Sequence, residues 1–339
     1  MTWNTDLKPL HRGVSDKGPK TPVIISASRS TDIPAFYADW FINRLKEGYV
    51  TWKNPFNGVP LKVSFAKARL IVFWTKNPKP IVSHLEYLDK KSLNYYFQFT
   101  LNDYDAEHLE PRVPNVQERI ETFQQLSEKI GKAKVVWRFD PLILTDKIGV
   151  HELLQKIENV GNKLKNHTNK LVFSFIDIGA YKKVQNNLKR NSISCKEFDF
   201  QSMSEFAAGL QLLNKNWNFE LATCAERIPL QEYGIAHNKC IDDDLIIKLF
   251  QHDRDLMDFL GVEITHDLLN LNGSIKKKRS NKDTGQREYC GCIISKDIGE
   301  YNTCAHLCEY CYANTSKEIA MKNYDHSKKN IYTENITGK

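Results

Sequence analysis

Between residues 23 and 225, short β-branched or aromatic runs alternate with amphipathic helical stretches, and this alternation restricts the chain to a mainly parallel sheet or barrel. Strands are predicted at Val23–Ser28, Leu70–Thr75, Tyr95–Leu101, Lys134–Phe139, Leu171–Ile176 and Phe219–Cys224. Helices fall between them. Pro34–Glu47 sets Phe36, Trp40, Phe41 and Leu45 at helical spacing, and Val116–Ile130 does the same with Ile120, Phe123, Leu126 and Ile130. Ser202–Asn214 and Asp242–Leu260 supply further helices. Six β/α units in 339 residues predict an α/β protein built as a partial or complete TIM-like (β/α) barrel with an appendage. Its functional residues belong at the carboxyl ends of the strands.

Those ends are polar. They read Ser28-Arg29-Ser30-Thr31-Asp32, Thr75-Lys76-Asn77-Pro78, Thr100-Leu101-Asn102-Asp103, Arg138-Phe139-Asp140-Pro141, Ile176-Asp177-Ile178 and Thr223-Cys224-Ala225-Glu226. Turns and helix caps explain any one of them, but charge recurring at six ends predicts a charged pocket. Arg29, Asp32, Lys76, Arg138 and Asp140 are the catalytic candidates. Trp52, Phe56, Phe73, Trp74 and Trp137 are expected to fill the core, with stacking of a planar substrate as the alternative. The net charge of +7 suits an anionic substrate or nucleic acid without requiring either.

No apolar run approaches the roughly 20 residues that span a bilayer, and Met1–Val14 lacks the apolar middle of a secretory signal. A cytoplasmic protein with no membrane partner is expected. Lys276-Lys277-Lys278-Arg279 and the polar stretch to Gln286 read as a solvated basic loop. The expected division is therefore a barrel over 1–270, a basic linker over 271–287 and a cysteine-rich segment over 288–339 packed over the barrel mouth. Ala313–Lys339 has weak periodicity and is expected to pack loosely.

Five of the eight cysteines crowd into that last segment, which in a reducing compartment points to metal rather than disulfides. Cys304-Ala-His-Leu-Cys308-Glu-Tyr-Cys311 is a C-x3-C-x2-C triplet. Three thiolates this close can hold a [4Fe-4S] cluster by three irons and leave the fourth open, and an open iron can chelate S-adenosylmethionine and cleave it reductively. The competing reading is a zinc knuckle with His306 as fourth ligand. Cys224, Cys240, Cys290 and Cys292 add up to a second four-thiolate set, fit for an auxiliary iron–sulfur cluster, a structural zinc or plain buried thiols. Cys195 is expected to be an ordinary free thiol.

The string Tyr301-Asn-Thr-Cys-Ala-His-Leu-Cys-Glu-Tyr-Cys-Tyr-Ala-Asn314 resembles the cluster loop of radical S-adenosylmethionine enzymes, especially those similar to spore photoproduct lyase. Thr75-Lys76, Phe97–Thr100, Leu109-Glu110-Pro111, Arg119 and Val135–Pro141 resemble that group's middle strands in the same order. The whole chain resembles the bacterial domain-of-unknown-function 1848 family, through Ser26-Ala-Ser-Arg29-Ser-Thr-Asp32-Ile-Pro34, Phe73-Trp-Thr-Lys-Asn-Pro78, Trp137-Arg-Phe-Asp-Pro141 and Cys290-Gly-Cys292. The resemblance implies a barrel with a C-terminal iron–sulfur element, S-adenosylmethionine as cofactor or cosubstrate, and an electron donor such as flavodoxin or ferredoxin. Glu110, Arg138 and Tyr310 are cofactor-binding candidates by position. In most radical enzymes of this kind the triplet follows the first strand, whereas here it comes late, so the terminal segment must fold back over the strand ends. The rival from another class is a zinc-stabilised nucleic-acid-binding protein that contacts phosphates through Lys276–Arg279. A barrel hydrolase with a catalytic zinc is the third.

Overall fold

The computed structural model describes residues 18–224, 226–267 and 270–338, so the Met1–Val14 segment lies outside the described residues. Eight strands form one parallel sheet: β1 (Ile24–Ala27), β2 (Leu70–Thr75), β3 (Asn94–Thr100), β4 (Val135–Leu142), β5 (Lys170–Phe175), β6 (Glu220–Thr223), β7 (Ile235–His237) and β8 (Lys296–Asp297). Their spatial order is β7-β6-β5-β4-β3-β2-β1-β8. All seven ladders are parallel.

The first six strands follow one another across the sheet in chain order, so the connecting helices gather on one face. Side chains alternate accordingly. Ile25, Ile71, Phe73, Phe97, Phe99, Trp137, Phe139 and Phe173 pack with Phe41 and Ile42 of the Ala38–Glu47 helix, Ile120 and Phe123 of Val116–Ile130, Leu153 and Ile157 of Val150–Leu164, and Phe206 and Leu210 of Phe200–Asn214. On the other face Ile24, Leu70, Val72 and Tyr96 meet Ile246, Ile247 and Phe250 of Asp243–Phe250, Leu256 and Leu260 of Arg254–Leu260, and the cysteines Cys240, Cys290 and Cys292.

A complete barrel is not formed. The sheet ends at β7 and β8, which are not paired with each other among the described residues. Both edges are short, three and two residues, and carry no apolar run with which to build a closing seam. Two expectations are corrected. Phe56 is 77% exposed, because it sits at the turn between Tyr49–Lys53 and Pro60–Ser64, a two-stranded hairpin outside the main sheet. Lys276 and Lys277 end a strand, Asn270–Lys277, that pairs with Val262–Asp267.

The stretch after Ala313 is well packed. Ser316 caps the helix Lys317–Ser327, whose Tyr324 meets Phe36 and Tyr37 edge to face. Beyond it, Trp40 Nε1 donates to the Thr333 carbonyl at 2.9 Å, and Glu334 accepts from Tyr49 and Thr51 at 2.7 Å each. No helix among the described residues is long and apolar enough to cross a membrane.

Candidate functional site

The loop bearing Cys304, Cys308 and Cys311 lies against the carboxyl ends of β1, β2 and β3. It is held from all three. Asp32, just beyond β1, uses one carboxylate oxygen to cap Ala35 N (3.0 Å) and the other to accept from Lys76 N (2.7 Å) and from His306 Nε2 (2.8 Å). His306 is buried, its ring stacks edge-on against Phe36, and its Nδ1 faces the Arg112 carbonyl at 3.4 Å. Its two nitrogens are thus engaged with the scaffold, which removes the fourth ligand that a zinc knuckle would need.

Beneath Cys308 sits a buried charge cluster. Glu110 accepts from Lys76 Nζ at 2.6 Å, Arg119 Nη1 at 3.2 Å, Asn102 Nδ2 at 2.9 Å and the Tyr310 hydroxyl. Lys76 and Asn102 also donate to the Tyr310 oxygen, each at 3.1 Å. Burial works against the Glu110 carboxylate, but Lys76 and Arg119 hold its pKa down to about 2. From the far side Asn187, itself buried, donates to the Cys311 carbonyl at 2.9 Å, and Tyr37 donates to the Thr303 carbonyl at 2.6 Å.

Within this frame Thr303, Ala305, His306, Glu309, Tyr310, Ala313 and Asn314 are buried, Cys304, Cys308 and Cys311 are half-buried like Leu307, and Tyr312 is exposed. Backbone N–H groups of His306 and Asp32 point at Cys304 Sγ, and those of Asn314 and Ala313 at Cys311 Sγ, Asn314 N at 3.3 Å. Burial pushes the Cys304 thiol up to about 12, with Cys311 and Asp32 adding to the rise, and pushes Cys308 up against the pull of Lys76. Free thiols here would stay protonated. A bound cation would turn them into thiolates, and amide donors already aimed at sulfur fit that state.

The other predicted residues divide between this loop and a second place. Tyr310, Glu110, Lys76 and Asp32 are brought together under the triplet. Arg138 is not with them: it pairs with Asp140 and donates from Nη1 to Gln98 Oε1 and to Cys240 Sγ, each at 3.2 Å. Asp140 in turn accepts from Ser174, and its backbone N–H donates to Asn102 Oδ1 at 2.8 Å. Arg29 and Arg138 flank the Trp74 ring at 5.1 and 5.3 Å.

The profile of the family described as Domain of unknown function (DUF1848) matches residues 24–313. The chain belongs to that family. The matched DUF1848 region includes every strand of the main sheet and both cysteine sets. No curated protein matches the chain. Among solved structures, one described as "a putative alpha-L-fucosidase from Bacteroides thetaiotaomicron VPI-5482" aligns at 9% identity over 51% of this chain and 77% of its own, with a TM-score of 0.25, too low a likeness to bear on fold or function.

Reading residues one at a time overlooks several groups that build the site in this DUF1848 chain. Asn187 has one signal, a polar residue on the buried side of the Lys182–Arg190 helix. Asp297 has none. It lies in the two-residue strand β8, yet accepts from Ser26 Oγ (3.0 Å), Ser28 Oγ (2.7 Å) and Arg29 N (2.7 Å), tying the cysteine-rich segment to β1.

Proposed function

We propose that this protein is a radical S-adenosylmethionine enzyme, with Cys304, Cys308 and Cys311 as ligands of a [4Fe-4S] cluster. The observation that carries the reading is the set of three half-buried thiols, presented by a buried loop at the strand ends, two of them met by backbone N–H donors. Bound there, the cluster supplies reductive cleavage of S-adenosylmethionine to a 5′-deoxyadenosyl radical. The chain's own groups do the rest. Lys76 sets positive charge beside Cys308, and Glu110, buried and ionised, holds Lys76 and the Tyr310 hydroxyl in place. Asp32 and His306 fix the loop's first half, and Asn187 its second. This buried frame limits water at the thiols and keeps the loop's geometry constant against the strand ends, where a substrate C–H bond would be oriented. A small electron-transfer protein of the flavodoxin or ferredoxin kind supplies the electron, and the excess positive charge suits an anionic substrate.

The nucleic-acid reading draws no comparable support. In the basic run Lys277 pairs with Asp243, Lys278 with Glu263 at 2.8 Å, and Arg279 donates to the carbonyls of Asp258 and Phe259. The deciding experiment is anaerobic purification followed by addition of dithionite and S-adenosylmethionine. Brown protein releasing 5′-deoxyadenosine, with release lost in Cys308→Ala, is the expected result. A colourless protein without iron or sulfide, giving no 5′-deoxyadenosine after reconstitution, overturns the proposal.

A further inference from the structure

Four of the five remaining cysteines converge although the chain brings them from three places: Cys224 just past β6, Cys240 just past β7, and Cys290 with Cys292 shortly before β8. Cys224 and Cys240 place their sulfurs 3.4 Å apart. Cys292 lies beside both Cys240 and Cys290, and its sulfur shares the loop of Cys240 by accepting from Ile241 N. All four are free, and Cys240, Cys290 and Cys292 are 3, 9 and 2% exposed. We infer that Cys224, Cys240, Cys290 and Cys292 form a second metal centre ligated by four thiolates, distinct from the triplet.

The surroundings are those of sulfur anions. Cys240 Sγ accepts from Asn238 Nδ2 at 3.1 Å and from Arg138 Nη1 at 3.2 Å, Cys292 Sγ accepts from Ile241 N at 3.4 Å, and Cys290 Sγ accepts from the backbone of Cys292. Arg138 is 2% exposed; its Nε and Nη2 pair with Asp140, and its Nη1 is turned toward the Cys240 sulfur. Toward a metal held by four thiolates, which carries net negative charge, the same contact is a charge-assisted hydrogen bond. Arg29, which also packs on the Trp74 ring, adds a second positive charge near Cys292, Cys240 and Cys290. The backbone is fixed as well: Tyr96 Oη and Gln98 Nε2 both donate to the Cys240 carbonyl, at 2.7 and 2.8 Å.

The sulfur spacing is compatible with a single ion or a cluster: the Cys224–Cys240 separation of 3.4 Å is near one edge of a zinc tetrahedron, while the set as a whole is more open. A tetrahedral zinc with bonds of about 2.3 Å needs every sulfur pair about 3.8 Å apart. Among the described residues, the one group of three metal-ligating atoms mutually within 4.8 Å is Asp242, Asp243 and Asp244, so no three of these sulfurs meet even that looser limit. They run instead as an open string, and metal and sulfide analysis decides between a single ion and a cluster. The acidic trio itself is no rival, since Lys170 binds Asp242, Lys239 and Lys277 bind Asp243, and Lys239 binds Asp244.

The test keeps this centre separate from the reading of the triplet. Full-length protein carrying Cys304→Ser, Cys308→Ser and Cys311→Ser is purified anaerobically, its fold checked by circular dichroism and thermal melting, and its iron, zinc and sulfide measured. About four irons with about four sulfides, or about one zinc, per chain is expected to remain, and adding Cys240→Ser and Cys292→Ser brings the metal to background. Iron with sulfide identifies a cluster and zinc a single ion, and either upholds the centre. A folded triple variant with all five remaining thiols alkylatable and no metal overturns it, as does a Cys224–Cys240 disulfide found by mass spectrometry. Wild-type protein, which needs no substitution to fold, gives the second measurement: about eight irons, or about four with one zinc, against about four iron and no zinc if the centre does not exist. Failure of the triplet reading looks different, because the metal of the second set then remains while 5′-deoxyadenosine is never released.

Discussion

Replacing Glu110 by Gln tests whether the buried charge cluster holds up the triplet loop. The carboxylate is 1% exposed and faces two cations, Lys76 (16% exposed) and Arg119 (1% exposed). Its folded pKa of about 2 lies below the usual 4.5, so its contribution to stability is complete above about pH 4.5 and is lost as the pH falls through about 2. At about 1.4 kcal/mol per pH unit this amounts to about 3 kcal/mol at neutral pH. Removing one partner of a buried ion pair costs about 3–5 kcal/mol on independent grounds. Arg119 keeps Asp105 at 3.1 Å, which argues for the lower end. With an unfolding entropy of about 2.1 cal/mol/K per residue over 339 residues, Glu110→Gln should melt about 4–7 °C below wild type at pH 7. The assay is thermal and urea unfolding of wild type and variant from pH 7 down to pH 2.5, with Lys76→Met and the double variant completing a cycle. The two stability curves should converge as the pH falls, and the double variant should lose less than the two singles together. A variant that melts within a degree of wild type at pH 7, or a gap that does not narrow in acid, would refute the reasoning.

Three shorter predictions concern the frame around the thiols. A Cβ at residue 299 would overlap the Ser28 side chain, so Gly299→Ala should lower the urea midpoint by the equivalent of about 1–3 kcal/mol and Ser28→Gly should recover part of it; additive losses would count against that contact. Asn187→Ala strips the Cys311 carbonyl of its donor, at a cost of about 1–3 kcal/mol, and should speed proteolysis within the 301–315 loop; a wild-type digestion rate would contradict the assigned anchor. Tyr310→Phe removes a hydroxyl that touches Glu110, Lys76 and Asn102 and should raise the Glu110 pKa, seen as an acid loss of stability that is smaller and is complete at a higher pH than in wild type; an unmoved curve would say the hydroxyl does not matter there.

The six predicted strands were legible because both faces of the sheet are covered. Leu70–Thr75 is buried at five of six positions, and a strand covered on both sides must be written as a continuous apolar run. β7 and β8 left no such trace, being edge strands of only three and two residues, Ile-Ala-His and Lys-Asp. The hairpin at Tyr49–Ser64 escaped notice because its aromatic residues, Trp52 and Phe56, imitate core residues in composition. At the site, cysteine spacing was visible since three ligands lie within eight residues. The groups that position them were not: Asp297 and Ser28 are 269 residues apart in the chain, and a single polar side chain carries no local mark of so distant a partner.

Because β8 joins the sheet beside β1, the first strand of the sheet is completed by a segment that lies 271 residues further along the chain. The helix-covered face can assemble early, since all its strands and crossovers come before residue 224. Both sulfur sets then close in a single late event, when residues 290 to 311 arrive and Asp297 docks onto Ser26, Ser28 and Arg29. On the proposed reading, metal delivery to either set would wait until residue 311 is made, onto a scaffold that is already standing.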